Sequence, residues 1–505
     1  MSKEIYVAAI DQGTTSTRCI LFDQTGQPRY SHQLEHRQIY PKPGWVEHDP
    51  MEILERTAEV IAGAMKEAGC GADQIAGAGI TNQRETVVAW NPKTGKPYYN
   101  AGVWQDLRGS EFIDSMIADG GIDQLRSQTG LPLSPYFAGS KIRWITDNIP
   151  EVRNAVKSGR VYFGTIDSWL IWNLTGGPDG GVFITDVTNA SRYMMMDIAS
   201  LTWDETLAQR FGITSACLPE IRPSMGECYG STGDDSAFGG PVPLCGILGD
   251  QQAALFGQAC FTAGQGKNTY GTGCFLLVNT GTELPVSKHG LLTTVAYRRG
   301  NQQPVYALEG SIAVAGSLVQ WMRDSIGLVE SAPAIDRLAE SVEDNGGIYF
   351  VPAFSGLFAP YWESSARGLI VGLTGYVKAG HLARSVLEAT AFQARDIFDA
   401  MEQDSGVRIQ ELRVDGGMSK SDVLMQFQSD ILNVPVIRPR VTETTALGAA
   451  YAAGISQGVW DSHDDLSQYW KEDRRWSPDM SQKTRDYHMK QWSKAVDRSK
   501  HWSDS

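Results

Sequence analysis

One pattern occurs twice in this chain and constrains its fold more than any other. A short apolar run enters a turn of Gly, Thr and Ser, and a second apolar run leaves it. Residues 5–10 are apolar, Asp11-Gln-Gly-Thr-Thr-Ser-Thr17 is polar, and Ile20, Leu21 and Phe22 resume the apolar character. From Lys267, Asn-Thr-Tyr270 leads into Gly271-Thr-Gly273 and out through residues 274–278. Apolar runs of this length between turn residues read as strands, so each half of the chain opens on a hairpin. Gln24-Thr-Gly-Gln27 adds a turn and third strand to the first hairpin, and Asn279-Thr-Gly-Thr282 leads the second towards a third strand at 291–297. Two meanders in corresponding places predict a duplicated α/β domain with two polar turns facing one another across a cleft. A chain of 505 residues also exceeds the ~250–300 at which a single core stops growing. The expected division is 1–256 and 257–505.

Composition removes several function classes. No run approaches the ~18 apolar residues of a membrane span, and the apolar start is too short for a secretory signal, so a cytoplasmic protein is expected. Forty-four basic residues against fifty-eight acidic ones give a net charge of −14 without a basic block, which argues against a nucleic-acid partner. The seven cysteines are odd in number and fit no paired-ligand spacing; all are expected as reduced thiols.

The chemistry concentrates in a few turns. In Cys245-Gly-Ile-Leu-Gly-Asp-Gln-Gln-Ala-Ala-Leu-Phe-Gly257 a buried strand gives way to a helix, with Asp250 at the junction. Asp250 reads either as a helix N-cap or as a general base in a crevice at the carboxyl end of a sheet. The turn after Asp11 reads either as a solvated tip or as a phosphate cradle, in which Gly13 admits close approach, Thr14, Thr15 and Ser16 donate, and Arg18 adds charge. Asp11 is suited to a hydrated magnesium ion. A strand at 75–80 delivers Thr81-Asn-Gln-Arg-Glu-Thr86; Arg84 and Glu85 read either as a surface pair or as a grip on the hydroxyls of a polyol, and Trp104 and Tyr136 either as core packing or as apolar walls with one more hydroxyl. Further helices are predicted at 313–322, 382–401, 421–432 and 442–453, the first placing Gly316 and Gln320 on one face.

Taken together, Asp11-Gln-Gly-Thr-Thr15, Pro41-Lys-Pro-Gly-Trp-Val-Glu-His48, Thr81-Asn-Gln-Arg-Glu-Thr86, Gly249-Asp-Gln-Gln252, Asn268-Thr-Tyr-Gly-Thr-Gly273 and Val414-Asp-Gly-Gly417 resemble the glycerol kinases of the FGGY carbohydrate kinase family. The resemblance implies two actin-like, ribonuclease-H-like ATPase domains with ATP and Mg2+ in the cleft between them. The Arg84-Glu85 pair points to glycerol rather than a sugar. Position by position, it implies glycerol contacts at Arg84, Glu85, Trp104, Tyr136, Asp250, Gln251 and Phe275. It implies nucleotide contacts at Thr14, Thr15, Ser16, Arg18, Thr272, Gly316, Gln320 and Gly417, and a metal held through water by Asp11 and Asp250. Ser421 stands where the family usually has an Asn in the adenine pocket. Gly239-Gly-Pro-Val242 lacks the Arg of a bisphosphate-binding loop, and no His lies between His48 and His289, so neither known mode of regulation is implied. The expected activity is ATP-dependent phosphorylation of glycerol, with a homodimer or homotetramer as the assembly. A kinase of erythritol or another short polyol, and a non-catalytic actin-like regulator, are the alternatives.

Overall fold

The computed structural model describes residues 4–354 and 356–503. Both apolar hairpins form, and each starts a mixed sheet in which later strands add in parallel on the side of the hairpin's first strand. In the first, Tyr6–Gln12, Ser16–Phe22 and Pro28–Glu35 make an antiparallel meander. Ile75–Asn82 then adds parallel to the first strand, and Pro243–Gly249 adds parallel to Ile75–Asn82. In the second, Gln265–Tyr270 pairs antiparallel with Cys274–Gly281, and Glu411–Asp415 and Val436–Pro439 add in parallel on the other side.

The third strand of the second meander is not the expected 291–297. Val305–Ile312 lies directly beside Cys274–Gly281, and Leu292–Tyr297 is displaced to the outer edge against it. Both segments are largely apolar, so composition does not decide which of them takes the inner place.

The helices cover these sheets for local reasons that the sequence states clearly. Pro50–Ala68 begins where the Asp49 carboxylate accepts from the Met51 amide at 2.9 Å, and it ends at Gly69 with φ 61°. Asp is a preferred N-cap and Gly the preferred left-handed C-terminal residue. The expected helices extend or shift by a few residues to Gly316–Asp324, Ala379–Ser405, Asp422–Leu432 and Thr444–Ser456. Gln482–Ser499 docks Trp492 and Val496 into the second core.

Two helices join the halves. Asp250–Gly257 follows the last strand of the first sheet, and Thr444–Ser456, though late in the chain, lies over that same sheet. They share one core with Val7 and Ile20 of the first sheet and Leu277 and Ala307 of the second. Backbone meets backbone at their crossing: a Cβ on Gly448 would stand 1.9 Å from the Ala253 carbonyl oxygen, and one on Gly257 2.0 Å from that of Thr444.

One expectation about the cysteines is overturned. Cys228 and Cys245 form a disulfide, while Cys19, Cys70, Cys217, Cys260 and Cys274 are free. The antiparallel pairing of Gly230–Ser231 with Pro243–Gly249 folds the intervening residues back and brings the two sulfurs together, a juxtaposition that spacing along the chain does not reveal.

The helix crossing yields the first prediction. Gly448→Ala forces the two helices apart and should lower the unfolding free energy by about 3 kcal/mol or more, at the upper end of overpacking costs. Gly233→Ala, where no atom lies within 4 Å of the added carbon, should stay within about 0.5 kcal/mol. Urea denaturation followed by circular dichroism reads both, and equal effects would contradict the close crossing.

Candidate functional site

The strand Ile75–Asn82 and the strand Pro243–Gly249 run parallel and end side by side. Their carboxyl ends therefore bring Arg84 and Asp250 together, although 166 positions separate them in the sequence. Asp250 is the first residue of its helix, with Gly249 at the cap position and no side-chain capping bond, so the N-cap reading of this carboxylate is not what the structure shows. Asp250 Oδ1 accepts from the Gln251 amide at 2.7 Å and faces Arg84 Nε at 3.1 Å. The Asp250 side chain keeps 29% of its surface exposed.

Arg84 and Glu85 are both buried, and neither takes the other as its main partner: Arg84 Nε to Glu85 Oε1 is 4.0 Å. Arg84 instead donates through both terminal nitrogens to Glu309, at 2.6 and 2.8 Å. Glu85, held at φ 61°, accepts from Arg192 Nε at 2.6 Å, and Arg192 Nη2 lies 3.3 Å from Glu309 Oε1. Glu309 belongs to the strand Val305–Ile312 of the second sheet, so the forked, charge-assisted pair with Arg84 ties one half of the chain to the other. Burial alone would raise the Glu309 carboxyl, but Arg192 and Arg84 override it and pull it down to about 2. For Glu85 burial wins over the same arginines and raises it. Gln252 accepts from Arg84 at 3.2 Å and donates to Thr294 at 3.0 Å.

A cavity of about 640 Å³ opens beside Gln251, the neighbour of Asp250, but Arg84, Glu85, Asp250, Arg192 and Glu309 are not part of its lining. Thr14 and Thr15 from the first turn, Thr272 from the second, and Trp104, Tyr136, Gln251 and Phe275 all line it. Trp104 Nε1 donates to Thr14 Oγ1 at 2.9 Å, and the Trp104 ring stands edge-on to Tyr136 at 5.6 Å and to Phe275 at 6.4 Å. Each turn is closed by its own backbone bond, Gly13 N to Ser16 O and Gly271 N to Gly273 O, both 2.9 Å. Gly316 packs on the second turn: its amide donates to Gly271 O at 3.1 Å, and a Cβ there would stand 2.4 Å from the same oxygen.

The remaining residues singled out in the sequence lie outside that lining. Ser16 accepts from Gln33, and Arg18 forms an ion pair with Glu443, at the start of the helix Thr444–Ser456. Gln320 and Gly417 are exposed. Ser421 caps Asp422–Leu432, accepting from the Leu424 amide at 3.1 Å, and its hydroxyl donates to Asp336. Asp11 sits at the end of the first strand; burial pushes its carboxyl up to about 7, Arg18 opposes this, and Asp250 and Glu443 add to it. Among the described residues no three His, Cys, Asp or Glu side chains gather as a metal cluster.

Sequence reasoning missed Glu309, Arg192 and Lys267. Lys267, buried on the second sheet, donates to Gln251 Oε1 at 2.5 Å, Thr269 Oγ1 at 3.0 Å and Phe275 O at 3.1 Å. Burial lowers its amine to about 8, against the fields of Asp415 and Asp250. A signal existed: a lone charge within an otherwise apolar strand, as in Tyr306-Ala-Leu-Glu-Gly310, needs a buried partner.

Glu309→Gln leaves two buried guanidinium groups short of a counter-charge and should cost about 3–5 kcal/mol of stability, measurable by urea denaturation at pH 7. Because the Glu309 carboxyl is depressed in the folded state, its contribution is present above its ordinary value of 4.5 and fades as pH falls towards 2. The gap between wild type and variant should therefore narrow across that window, and a gap below about 1 kcal/mol at pH 7 would contradict the network.

Comparison with known proteins meets this geometry. The sequence pattern of the FGGY family of carbohydrate kinases, N-terminal domain, matches residues 6–257, and that of its C-terminal domain matches 266–457. The chain is 58% identical over 497 residues to the glycerol kinase of Saccharopolyspora erythraea, covering 98% of this chain and 99% of that one. It is 59% identical over 497 residues to the glycerol kinase of Chloroflexus aurantiacus, with the same coverage. Among solved structures, Plasmodium falciparum glycerol kinase with ADP superposes with a TM-score of 0.92 at 40% identity, covering 98% of each chain. Xylulose kinase from Rhodospirillum rubrum, at 23% identity and a TM-score of 0.85 over 98% of each chain, shares the fold.

Proposed function

The chain belongs to the FGGY family of carbohydrate kinases, and we propose that it transfers the γ-phosphoryl group of ATP to glycerol, giving sn-glycerol 3-phosphate and ADP. The observation that carries this reading is the Thr14–Trp104 hydrogen bond inside the 640 Å³ cavity. It joins a phosphate-cradling turn to an aromatic wall suited to a small polyol, in a space of the size that ligand sites occupy.

In this mechanism Trp104, Tyr136 and Phe275 form the walls of the glycerol pocket, while Arg84, Glu85, Gln251 and Asp250 meet its hydroxyls. Thr14, Thr15, Ser16 and Arg18 on one side and Thr272 on the other hold the phosphates. Gly316, Gln320, Gly417 and Ser421 serve the nucleoside. Asp250 takes the proton of the attacking hydroxyl as that oxygen bonds to the γ-phosphorus, and the bond to the β-bridging oxygen breaks to release ADP. Phosphoryl transfer needs positioning and charge stabilisation more than covalent chemistry, and the two turns supply both.

Magnesium fits the oxygen donors at hand. Burial, opposed by Arg18 and reinforced by Asp250 and Glu443, pushes the Asp11 carboxyl towards its protonated form, and a cation held by Asp11 and Asp250 would favour the ionised form instead. Mg2+ keeps several waters and needs only one or two carboxylates beside substrate phosphates; bound there it would neutralise charge on the triphosphate. The domain division at 256/257, a cytoplasmic location beside the ATP supply, and a homodimeric or homotetrameric assembly belong to the same reading.

Arg84→Ala is a poor probe, because it strands Glu309. Asp250→Asn should keep both substrates bound while turnover falls ~10²- to 10⁴-fold, or about 3–5 kcal/mol of barrier. Tyr136→Phe removes one cavity hydroxyl and should raise the glycerol KM about five- to tenfold with the ATP KM unchanged. Coupled assays across glycerol, erythritol and xylitol read both variants and the wild type. Near-normal turnover of the Asp250 variant would remove its role as base, and preference for a longer polyol would move the substrate assignment.

A further inference from the structure

Lys141 lies in the first turn of the helix Ala138–Asn148 and is almost fully buried. A cation is poorly placed at a helix N-terminus, where the backbone dipole is positive. Among the described residues no carboxylate forms an ion pair with it. Its ammonium group turns back over the helix end and donates to carbonyl oxygens, Tyr136 O at 2.5 Å and Pro135 O at 2.7 Å, with Trp104 O and Phe137 O each at 3.4 Å. Burial lowers its amine to about 7, while Glu85 and Asp106 favour the charged form and Arg108 opposes it.

Packing alone does not account for a lysine here. A buried charge is costly without partners, and an apolar side chain of similar length would fill the space without that cost. The four oxygens belong to two separate segments, one carrying Trp104 and the other Tyr136. These are the aromatic rings that stand edge-on at 5.6 Å in the wall of the cavity. One ammonium group thus pins both pieces of that wall at their backbones, leaving the rings free to meet the ligand.

We propose that Lys141 is the positioning residue that fixes the spacing of the Trp104 and Tyr136 wall and so sets which polyols the acceptor pocket takes. The inference rests on the assignment of that pocket to the acceptor. Without the clip, the segments of Trp104 and Tyr136 separate, contacts to glycerol weaken, and a longer polyol is penalised less.

The test is steady-state kinetics of Lys141→Met and Gly102→Ala with glycerol, erythritol and ATP, alongside thermal melting. In Gly102→Ala the ammonium group is retained, but the added carbon would lie 3.0 Å from Lys141 Cγ and press on its stem. Lys141→Met should raise the glycerol KM about tenfold, leave the ATP KM within about twofold, and lower the glycerol-to-erythritol ratio of kcat/KM about tenfold, the scale of one methylene in a pocket. Gly102→Ala should shift the same ratio in the same direction by about two- to threefold. A folded Lys141→Met with wild-type glycerol KM and selectivity overturns the proposal, as does an equal rise in both KM values. If Lys141→Met does not fold, an unchanged ratio in Gly102→Ala overturns it instead. Should the wild type prefer another polyol over glycerol, the functional reading fails by itself, and the clip is then judged on the ratio for that preferred polyol.

Discussion

The forked pair between Arg84 and Glu309 is the interaction on which the rest of the site depends. It joins the carboxyl end of a strand in the first sheet to the middle of a strand in the second, and both side chains are shut away from water. Two charges in such a place are tolerated only if each lone pair and proton is met. The structure meets them with Arg192, Glu85, Gln252 and Asp250, so a requirement for solvation becomes a fixed frame. The Arg84 guanidinium cannot turn without breaking three partnerships, and Asp250 inherits a defined position from it.

That frame would be useless if the two halves could slide. The crossing of Asp250–Gly257 with Thr444–Ser456 prevents it, because glycines at 257 and 448 allow backbone to rest on backbone. Close contact of this kind leaves little room for translation. Packing at the crossing and electrostatics above it therefore act on the same elements: the helix that begins with Asp250 is also one half of the crossing.

Much of this was legible in the sequence where the determinants are local. The hairpins at Gly13 and Gly271 announce themselves by composition, and the helices expected at 421–432 and 442–453 form within a few residues of those bounds. Thr14, Thr15, Trp104, Tyr136, Gln251, Thr272 and Phe275 converge on one cavity. What escaped depends on pairing between distant segments. Nothing local says that residues 305–312 rather than 291–297 take the inner place, that Cys228 meets Cys245, or that Arg84 turns from its neighbour Glu85 to a residue 225 positions away. Ser421, proposed for the nucleoside, also caps its helix and donates to Asp336, a pairing with a distant residue that the local sequence does not state.

The central claim is that Asp250, held by the Arg84 network, faces the acceptor hydroxyl while the two Gly/Thr turns hold the phosphates. A crystal structure with glycerol, magnesium and a non-hydrolysable ATP analogue tests it most directly. A glycerol hydroxyl oxygen is expected about 2.6–3.2 Å from an Asp250 oxygen, with the γ-phosphate between Thr14–Thr15 and Thr272 and the Arg84–Glu309 pair intact. Glycerol seated away from Trp104 and Tyr136, or a triphosphate touching only one of the two turns, would contradict it.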